Sequence, residues 1–174
     1  SHQGLQSIKN RFDGLGIVLT TDLNLFDDVW QDRPTLSKSY INVHDHQYTG
    51  SSVNQKLSDI RTSLKMQQLD GHLLTALDDI AWTFNLRGSD VDYNPVFVAY
   101  AFIDQNNTTL YLDQDKINDV CKAHLDNNGI NTKPYNAIFD DMTSLSKEMN
   151  VLVDPSICNH QLYMTIHATI VDGQ

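Results

Sequence analysis

Residues 75–97 read TALDDIAWTFNLRGSDVDYNPVF, a stretch that joins two apolar elements through a short helix and a polar loop. Leu77 followed by two aspartates predicts a helix with Asp78 as its N-cap, since a carboxylate there accepts an unpaired backbone N–H. Leu77 and Trp82 then have the spacing of a hydrophobic staple across that cap. Gly88 is predicted to end the helix, because a left-handed C-cap costs glycine little.

The loop after this helix, closed by Pro95, concentrates hydrogen-bonding side chains: Arg87, Ser89, Asp90, Asp92, Tyr93 and Asn94. Such a loop between two apolar elements often presents a binding edge. We predict that Arg87 pairs with an aspartate of its own loop, that the outer side of the loop faces a concavity, and that a partly buried Trp82 adds an apolar wall. The alternative is an ordinary connector in which Arg87 only locks the loop.

The composition indicates one globular domain and excludes several kinds of partner. The chain has 174 residues, of which 40% are hydrophobic, and this is enough for a substantial core. A net charge of −10 argues against nucleic acid and against an anionic membrane surface, because both would repel the protein. No membrane span and no signal peptide are expected. Cys121 and Cys158 form no spaced framework, so reduced thiols in a cytoplasmic protein are expected.

Apolar periodicity predicts helices alternating with strands in the first part of the chain. We expect a helix over residues 4–12 and a short strand over residues 16–21. Asp22 is predicted to cap a second short helix that holds the apolar residues Leu25, Phe26, Val29 and Trp30. His44 and His46 lie two apart and could hold a metal on an extended segment, but no third ligand follows, so a solvated linker is the preferred interpretation.

A longer helix is predicted to follow Ser52, which has Gln55 three residues later in the capping-box pattern. Its apolar stripe consists of Val53, Leu57, Ile60 and Leu64. Lys56, Asp59 and Arg61 lie off this stripe and are expected to face water.

The second part of the chain predicts the centre of a sheet. Residues 96–104, VFVAYAFID, are apolar on both faces, which indicates a central strand covered by helices on both sides. Residues 108–113 should return antiparallel to it as a hairpin. Helices are then predicted from Asp115, Asn136 and Asp154, and strands at 131–135, 150–154 and 167–171. These elements predict an α/β domain with a mixed β-sheet flanked by helices on both faces, with Leu73, Val98, Tyr100, Leu110 and Val151 under helix cover.

The stretch 75–97 also resembles the middle-domain signature of the three-domain Xaa-Pro aminopeptidases, the aminopeptidase P group of the pita-bread metallopeptidases (peptidase family M24). The similarity extends to further segments and covers nearly the whole chain: LFDDVWQDRP at 25–34, YTG at 48–50, KLSDIR at 56–61 and VLVDPS at 151–156. It implies that residues 35–174 form a middle, creatinase-N-like domain with a ribonuclease-H-like mixed sheet. Residues 1–34 would be the tail of a preceding N-terminal domain and a linker.

The resemblance implies a parent protein that is a cytoplasmic metal-dependent exopeptidase, removing the N-terminal residue from peptides with proline second. Two divalent metal ions, expected to be manganese, would be held in its C-terminal domain by two Asp, one His and two Glu. In this chain only Glu148 among the 22 acidic residues is a glutamate. That ligand set cannot be assembled here, so the chain is expected to be non-catalytic and to hold no metal or other cofactor.

By this resemblance, the domain supports the arrangement of its neighbours and the wall of the active-site cleft. The residues expected to face the cleft or the substrate are Arg87, Trp82, Asp90, Tyr93 and Asn94. The expected partners are the parent's own N- and C-terminal domains and, through the parent, short proline-containing peptides, while homodimer formation stays open. The alternative is a binding or regulatory protein that keeps the pita-bread layout without peptidase activity.

Overall fold

The computed structural model describes residues 1–21, 23, 26–35, 37–145 and 147–173. Its helices are α1 (His2–Asp13), α2 (Phe26–Val29), α3 (His46–Thr49), α4 (Val53–Met66), α5 (Leu77–Thr83), α6 (Asp119–Asn127), α7 (Ala137–Ser144) and α8 (His160–Thr165). Its strands are β1 (Asn42–Val43), β2 (Gly71–Leu74), β3 (Leu86–Arg87), β4 (Ala99–Asp104), β5 (Thr108–Leu112), β6 (Asn131–Pro134), β7 (Asn150–Val153) and β8 (Thr169–Asp172).

The core is organised around a six-stranded mixed sheet with the strand order β6-β5-β4-β2-β7-β8. Strand β4 pairs antiparallel with both β5 and β2, while the pairs β5–β6, β2–β7 and β7–β8 are parallel. The predicted hairpin is confirmed, with Ala99 opposite Leu112 and Ile103 opposite Thr108. A separate two-stranded sheet pairs β1 with β3 and lies at the entrance to the polar loop.

Helices cover both faces of the sheet, as predicted. Successive side chains of a strand point to opposite faces, so Ala101 and Ile103 of β4 join one buried cluster with residues of α4, α5 and α6. Tyr100 and Phe102 join a second cluster with residues of α7 and α8. Of the residues expected under helix cover, all are buried except Val98, which precedes β4 and is only partly covered.

Several predicted element boundaries are wrong. Residues 16–21 contain no strand, whereas the short helix after them is present as α2. The predicted cap Asp22 and the predicted helix residue Leu25 lie outside the described residues. Helix α6 is capped by Asn118, whose Oδ1 accepts from Cys121 N at 2.9 Å, because Asp115 is part of a 3-10 turn over Gln114–Lys116. The last helix begins at His160, after a turn at residues 154–158.

The charged residues of α4 were predicted to face water, and this prediction is wrong for Arg61 and Lys56. Ser52 caps the helix as expected, with its Oγ accepting from Gln55 N at 3.2 Å. Arg61, however, reaches the β4–β5 hairpin and donates to Asp104 O and Thr108 Oγ1, each at 2.9 Å. Lys56 is 2% exposed. Long basic side chains can cross apolar surface with their stems and place the charged end on distant acceptors, which a helical stripe alone does not reveal.

The N-terminal part of the chain is attached at one end. The first turn of α1 contacts the segment before α8, where His2 N donates to Cys158 O and Gln3 N to Pro155 O, each at 2.9 Å. No residue of α1 is buried. From Ile8 to Trp30, large apolar side chains are exposed: Ile8, Leu15, Ile17, Val18, Leu23, Phe26, Val29 and Trp30.

Candidate functional site

The helix that leads into the polar loop begins and ends differently from the prediction. Its N-cap position is Ala76, without a side-chain hydrogen bond, and Asp78 lies inside the first turn. Asn85, with φ of 53°, makes the left-handed turn that was assigned to Gly88. Asparagine adopts this conformation more readily than most residues, and Asn85 is also fixed by its Nδ2, which donates to Ser51 O at 3.0 Å.

Gly88 is required for close packing rather than for a helix cap. A Cβ at this position would lie 2.6 Å from Phe97 Cβ and 2.9 Å from Val96 O. The two sides of the loop are joined by Gly88 N donating to Pro95 O at 3.2 Å and by Asp90 N donating to Val96 O at 3.1 Å. The stem of the loop is therefore a narrow backbone pair that leaves no room for a side chain at residue 88.

The predicted ion pair between Arg87 and an aspartate of its loop is wrong. Arg87 Nη1 donates to two backbone oxygens, Ala81 O at 2.9 Å and Leu86 O at 2.8 Å. Strand β3 pairs with β1 and places Arg87 opposite Asn42. In this position the guanidinium lies beside the end of α5, where carbonyl groups lack helical partners.

Asp90 instead forms a buried ion pair with Lys116. Its Oδ1 accepts from Lys116 Nζ, and its Oδ2 accepts from Val98 N at 2.8 Å. The side chains of Asp90 and Lys116 are only 1% and 4% exposed. This pair ties the loop to the 3-10 turn before α6. The sequence pattern did not indicate Lys116, because the two partners are separated by 26 positions.

Trp82 lies at the surface next to a buried lysine. Trp82 is 53% exposed, whereas Leu77, its predicted staple partner, is partly buried and packs against the core. Lys56 Nζ lies 3.9 Å from the ring centroid and donates to Trp82 O and Asn85 Oδ1, each at 2.6 Å. Burial, and then the nearby positive charge of Arg87, lower the pKa of Lys56. An amine at this distance from the ring centroid can make a cation–π contact with the ring.

One side of the loop is concave, with a cavity of about 420 Å³. Its lining residues are Gly88, Ser89, Val91, Asp92, Tyr93, Asn94 and Pro95. Tyr93 has φ of 62° and is fully exposed, held in a tight turn by the bridge between Val91 and Asn94. Asp92, Tyr93 and Asn94 thus line the concavity, whereas Arg87, Trp82 and Asp90 do not. The concavity offers polar and aromatic contacts.

Two further observations bear on the kind of site. Over the described residues, no three or more His, Cys, Asp or Glu side chains come together in a way that could hold a metal ion. The same part of the chain contains no helix with the length and apolar character needed to cross a membrane.

Sequence comparison relates this chain to a known domain and to longer proteins. The family described as Creatinase/Prolidase N-terminal domain matches residues 32–174. A probable Xaa-Pro aminopeptidase P from Sclerotinia sclerotiorum is 39% identical over 147 residues, which are 84% of this chain and 24% of that protein. A probable Xaa-Pro aminopeptidase P from Aspergillus niger is 45% identical over 125 residues, 71% of this chain and 20% of that protein. The chain therefore spans less than a quarter of the length of these relatives.

Structure comparison relates the chain to the same group of proteins. X-prolyl aminopeptidase from Caenorhabditis elegans, described as a cytosolic enzyme with a di-nuclear active site, matches 98% of this chain and 29% of its own, with a TM-score of 0.88 and 26% identity. The Xaa-Pro dipeptidase from Bacillus anthracis, at 12% identity and a TM-score of 0.53, shares the fold. With its mixed sheet covered on both faces and a family match over residues 32–174, the chain belongs to the Creatinase/Prolidase N-terminal domain family.

Proposed function

We propose that this chain is the middle, non-catalytic domain of a metal-dependent Xaa-Pro aminopeptidase, which removes the N-terminal residue from peptides with proline second. The observation that carries the proposal is the similarity to aminopeptidase P proteins over most of this chain but under a quarter of their length. No observation favours the alternative of a regulatory protein without peptidase activity.

The residues of this chain do not fit a two-metal peptidase centre. The expected set contains two glutamates, and the sequence has only Glu148. The two divalent ions, with manganese as the expected metal, would therefore lie in a C-terminal domain outside these residues. For this chain we propose the supporting role of holding that domain and an N-terminal domain in place and forming part of the cleft wall.

The loop geometry supports a wall rather than a moving lid. The buried Asp90–Lys116 pair and the close contact at Gly88 fix the stem. The fixed stem presents Asp92, Tyr93 and Asn94 on its concave side. Rigid placement of contact groups is what a substrate-positioning surface requires.

Partners and location follow from the same proposal. Residues 1–34 would be the tail of the N-terminal domain and a linker, and the exposed apolar side chains between Ile8 and Trp30 support a covering partner there. The substrates would be short proline-containing peptides bound by the whole protein, in the cytosol as for the nematode enzyme. Neither nucleic acid nor membrane is proposed as a partner, and a homodimer is compatible with this role.

The test compares the isolated chain with the full-length protein. The isolated chain should not cleave an Xaa-Pro peptide, with or without Mn²⁺, whereas the full-length protein should do so in a metal-dependent way. Turnover by the purified chain would contradict the non-catalytic role. A full-length protein that binds partners but cleaves nothing would favour the regulatory alternative.

The cleft-wall role is tested by Tyr93→Ala in the full-length protein. Because Tyr93 is fully exposed in this domain, the substitution should leave the melting temperature of the isolated chain unchanged. We expect kcat/KM to fall about tenfold, the loss typical of one aromatic contact. Tyr40→Ala, which removes another exposed ring outside the concavity, is the matched control. Equal activity of both variants would exclude Tyr93 from the cleft.

A further inference from the structure

A second cavity, of about 700 Å³, lies over Tyr100 between the first turns of α7 and α8. It shares no lining residue with the concavity of the polar loop. Its lining combines aromatic rings with side-chain amides: Tyr100, Tyr135, Phe139, Asn136, Asn159 and Gln161. Its volume falls within the range of about 300–1,000 Å³ that small-ligand sites occupy.

The aromatic floor of this cavity is fixed in place. The rings of Tyr100 and Tyr135 stack with centroids 4.9 Å apart and an interplanar angle of 24°. Asn159 Nδ2 donates to Tyr100 Oη at 2.5 Å, which ties the floor to the start of α8. Tyr100 is 8% exposed, so the part of the floor that remains accessible is formed largely by Tyr135 and Phe139. A floor of this kind needs no rearrangement to receive an apolar ring.

The two rims of the cavity carry amides without a partner in the fold. Asn136 occupies the N-cap position of α7 but its side chain makes no capping hydrogen bond. Gln161, in the first turn of α8, is exposed. Within the described part of the chain, neither side chain forms a hydrogen bond. Each primary amide offers two donors and one acceptor oxygen, which match the carbonyl and N–H groups of a peptide backbone.

The lining is uncharged although the protein carries a net charge of −10. Among the described lining residues there is no carboxylate, ammonium or guanidinium group, and His160 completes the lining. A charged ligand would lose its hydration here without gaining an opposite charge. The cavity therefore selects an uncharged ligand with an apolar ring and backbone-like acceptors.

We propose that this cavity binds an uncharged, proline-containing peptide segment in the extended polyproline II conformation. Aromatic-lined grooves take up proline rings, and the preformed conformation of such segments reduces the entropy lost on binding. A proline segment has carbonyl groups but lacks backbone N–H groups, so the amide donors of Asn136 and Gln161 suit it. The proposal concerns a binding site of this domain and does not depend on peptidase activity of the longer protein.

The experiment is an NMR titration of the 15N-labelled 174-residue chain with acetyl-tetraproline amide. We expect saturable shifts confined to α7, α8 and the start of β4 at millimolar peptide. Acetyl-tetraalanine amide, of equal length and charge, should bind at least about tenfold more weakly. Equal binding of the two peptides, or no saturable shift with the proline peptide, would overturn the proposal.

Three variants locate the site. Tyr135→Ala should weaken proline-peptide binding about tenfold or more, as loss of an aromatic anchor does. Gln161→Ala, at an exposed position where folding is not at risk, should weaken it a few-fold. Tyr40→Ala serves as the control ring outside the cavity and should bind normally. Retained affinity in Gln161→Ala together with shifts elsewhere in the chain would show that binding occurs at another place.

Discussion

Asp90→Asn is the sharpest test of the structure, because it separates the observed ion pair from the pair predicted between Arg87 and its loop. The substitution keeps an acceptor for Val98 N but removes the charge that faces Lys116. Both side chains of the pair are at least nineteen-twentieths buried, at 1% and 4% exposure. Breaking a buried pair by removing one partner leaves an uncompensated charge and costs about 3–5 kcal/mol. Since Asn retains one hydrogen bond, we expect a loss of about 3 kcal/mol.

The measurement is urea unfolding of the isolated chain, followed by circular dichroism at constant temperature. An unchanged m-value would show that stability, and not compactness, has changed. The double variant Asp90→Asn/Lys116→Met removes both charges, and its loss should be smaller than that of Asp90→Asn alone. Lys122→Met is the matched control, because its pair with Asp126 is 66% and 60% exposed and should contribute under about 0.5 kcal/mol.

Two results would refute this reasoning. A loss below about 1 kcal/mol for Asp90→Asn would mean that the carboxylate is not held in a dry environment. Equal effects of Asp90→Asn in the wild-type and Lys116→Met backgrounds would mean that the two groups do not interact. If the Arg87 pair were the real one, Arg87→Ala and not Lys116→Met would show the coupling.

Three further predictions concern Gly88, Lys56 and His72. Gly88→Ala should cost about 1–3 kcal/mol, because the added Cβ would overlap with Phe97. Gly14→Ala, at the C-cap of α1 where the nearest atom to the added Cβ is 3.9 Å away, should change stability by less than about 0.5 kcal/mol. Equal urea midpoints of the two variants would contradict the close approach at Gly88. Lys56→Met should lose about 2 kcal/mol in urea unfolding, because it removes the donor shared by two buried acceptors, and unchanged stability would show that desolvation of the amine cancels these bonds. Burial lowers the pKa of His72 in the folded protein below its ordinary value of 6.5. As the pH decreases, the unfolded chain is therefore protonated at this residue before the folded protein is. The contribution of His72 to the free energy of unfolding is complete above about pH 6.5 and is lost as the pH falls below that value. We would measure the melting temperature of the wild-type protein and of His72→Gln from pH 7.5 to 5.5, about one unit on either side of the ordinary histidine pKa. An equal decrease in both proteins would contradict this assignment.

Elements whose sequence pattern is local could be predicted from the amino-acid sequence. A run that is apolar on both faces identified the central strand at β4, and the short polar turn after it identified the hairpin with β5. Helical spacing identified α4, and the capping-box pattern identified its cap at Ser52. The predicted mixed sheet covered on both faces follows from these patterns. The motif at residues 75–97 also pointed to the family, to which the match over residues 32–174 assigns the chain.

The pairing of polar groups from different elements became visible only in the folded structure. The sequence predicted Arg87 with an aspartate of its loop because those residues are close along the chain, but Asp90 pairs with Lys116, 26 positions away. The sequence also predicted that Lys56 faces water, because this residue lies off the apolar stripe of α4. In the structure α4 packs beside α5, and the Lys56 amine lies under the Trp82 ring. The physical reason is that a buried charge is satisfied by whichever partner the packing of the elements brings within reach, and sequence spacing records neighbours on one element only.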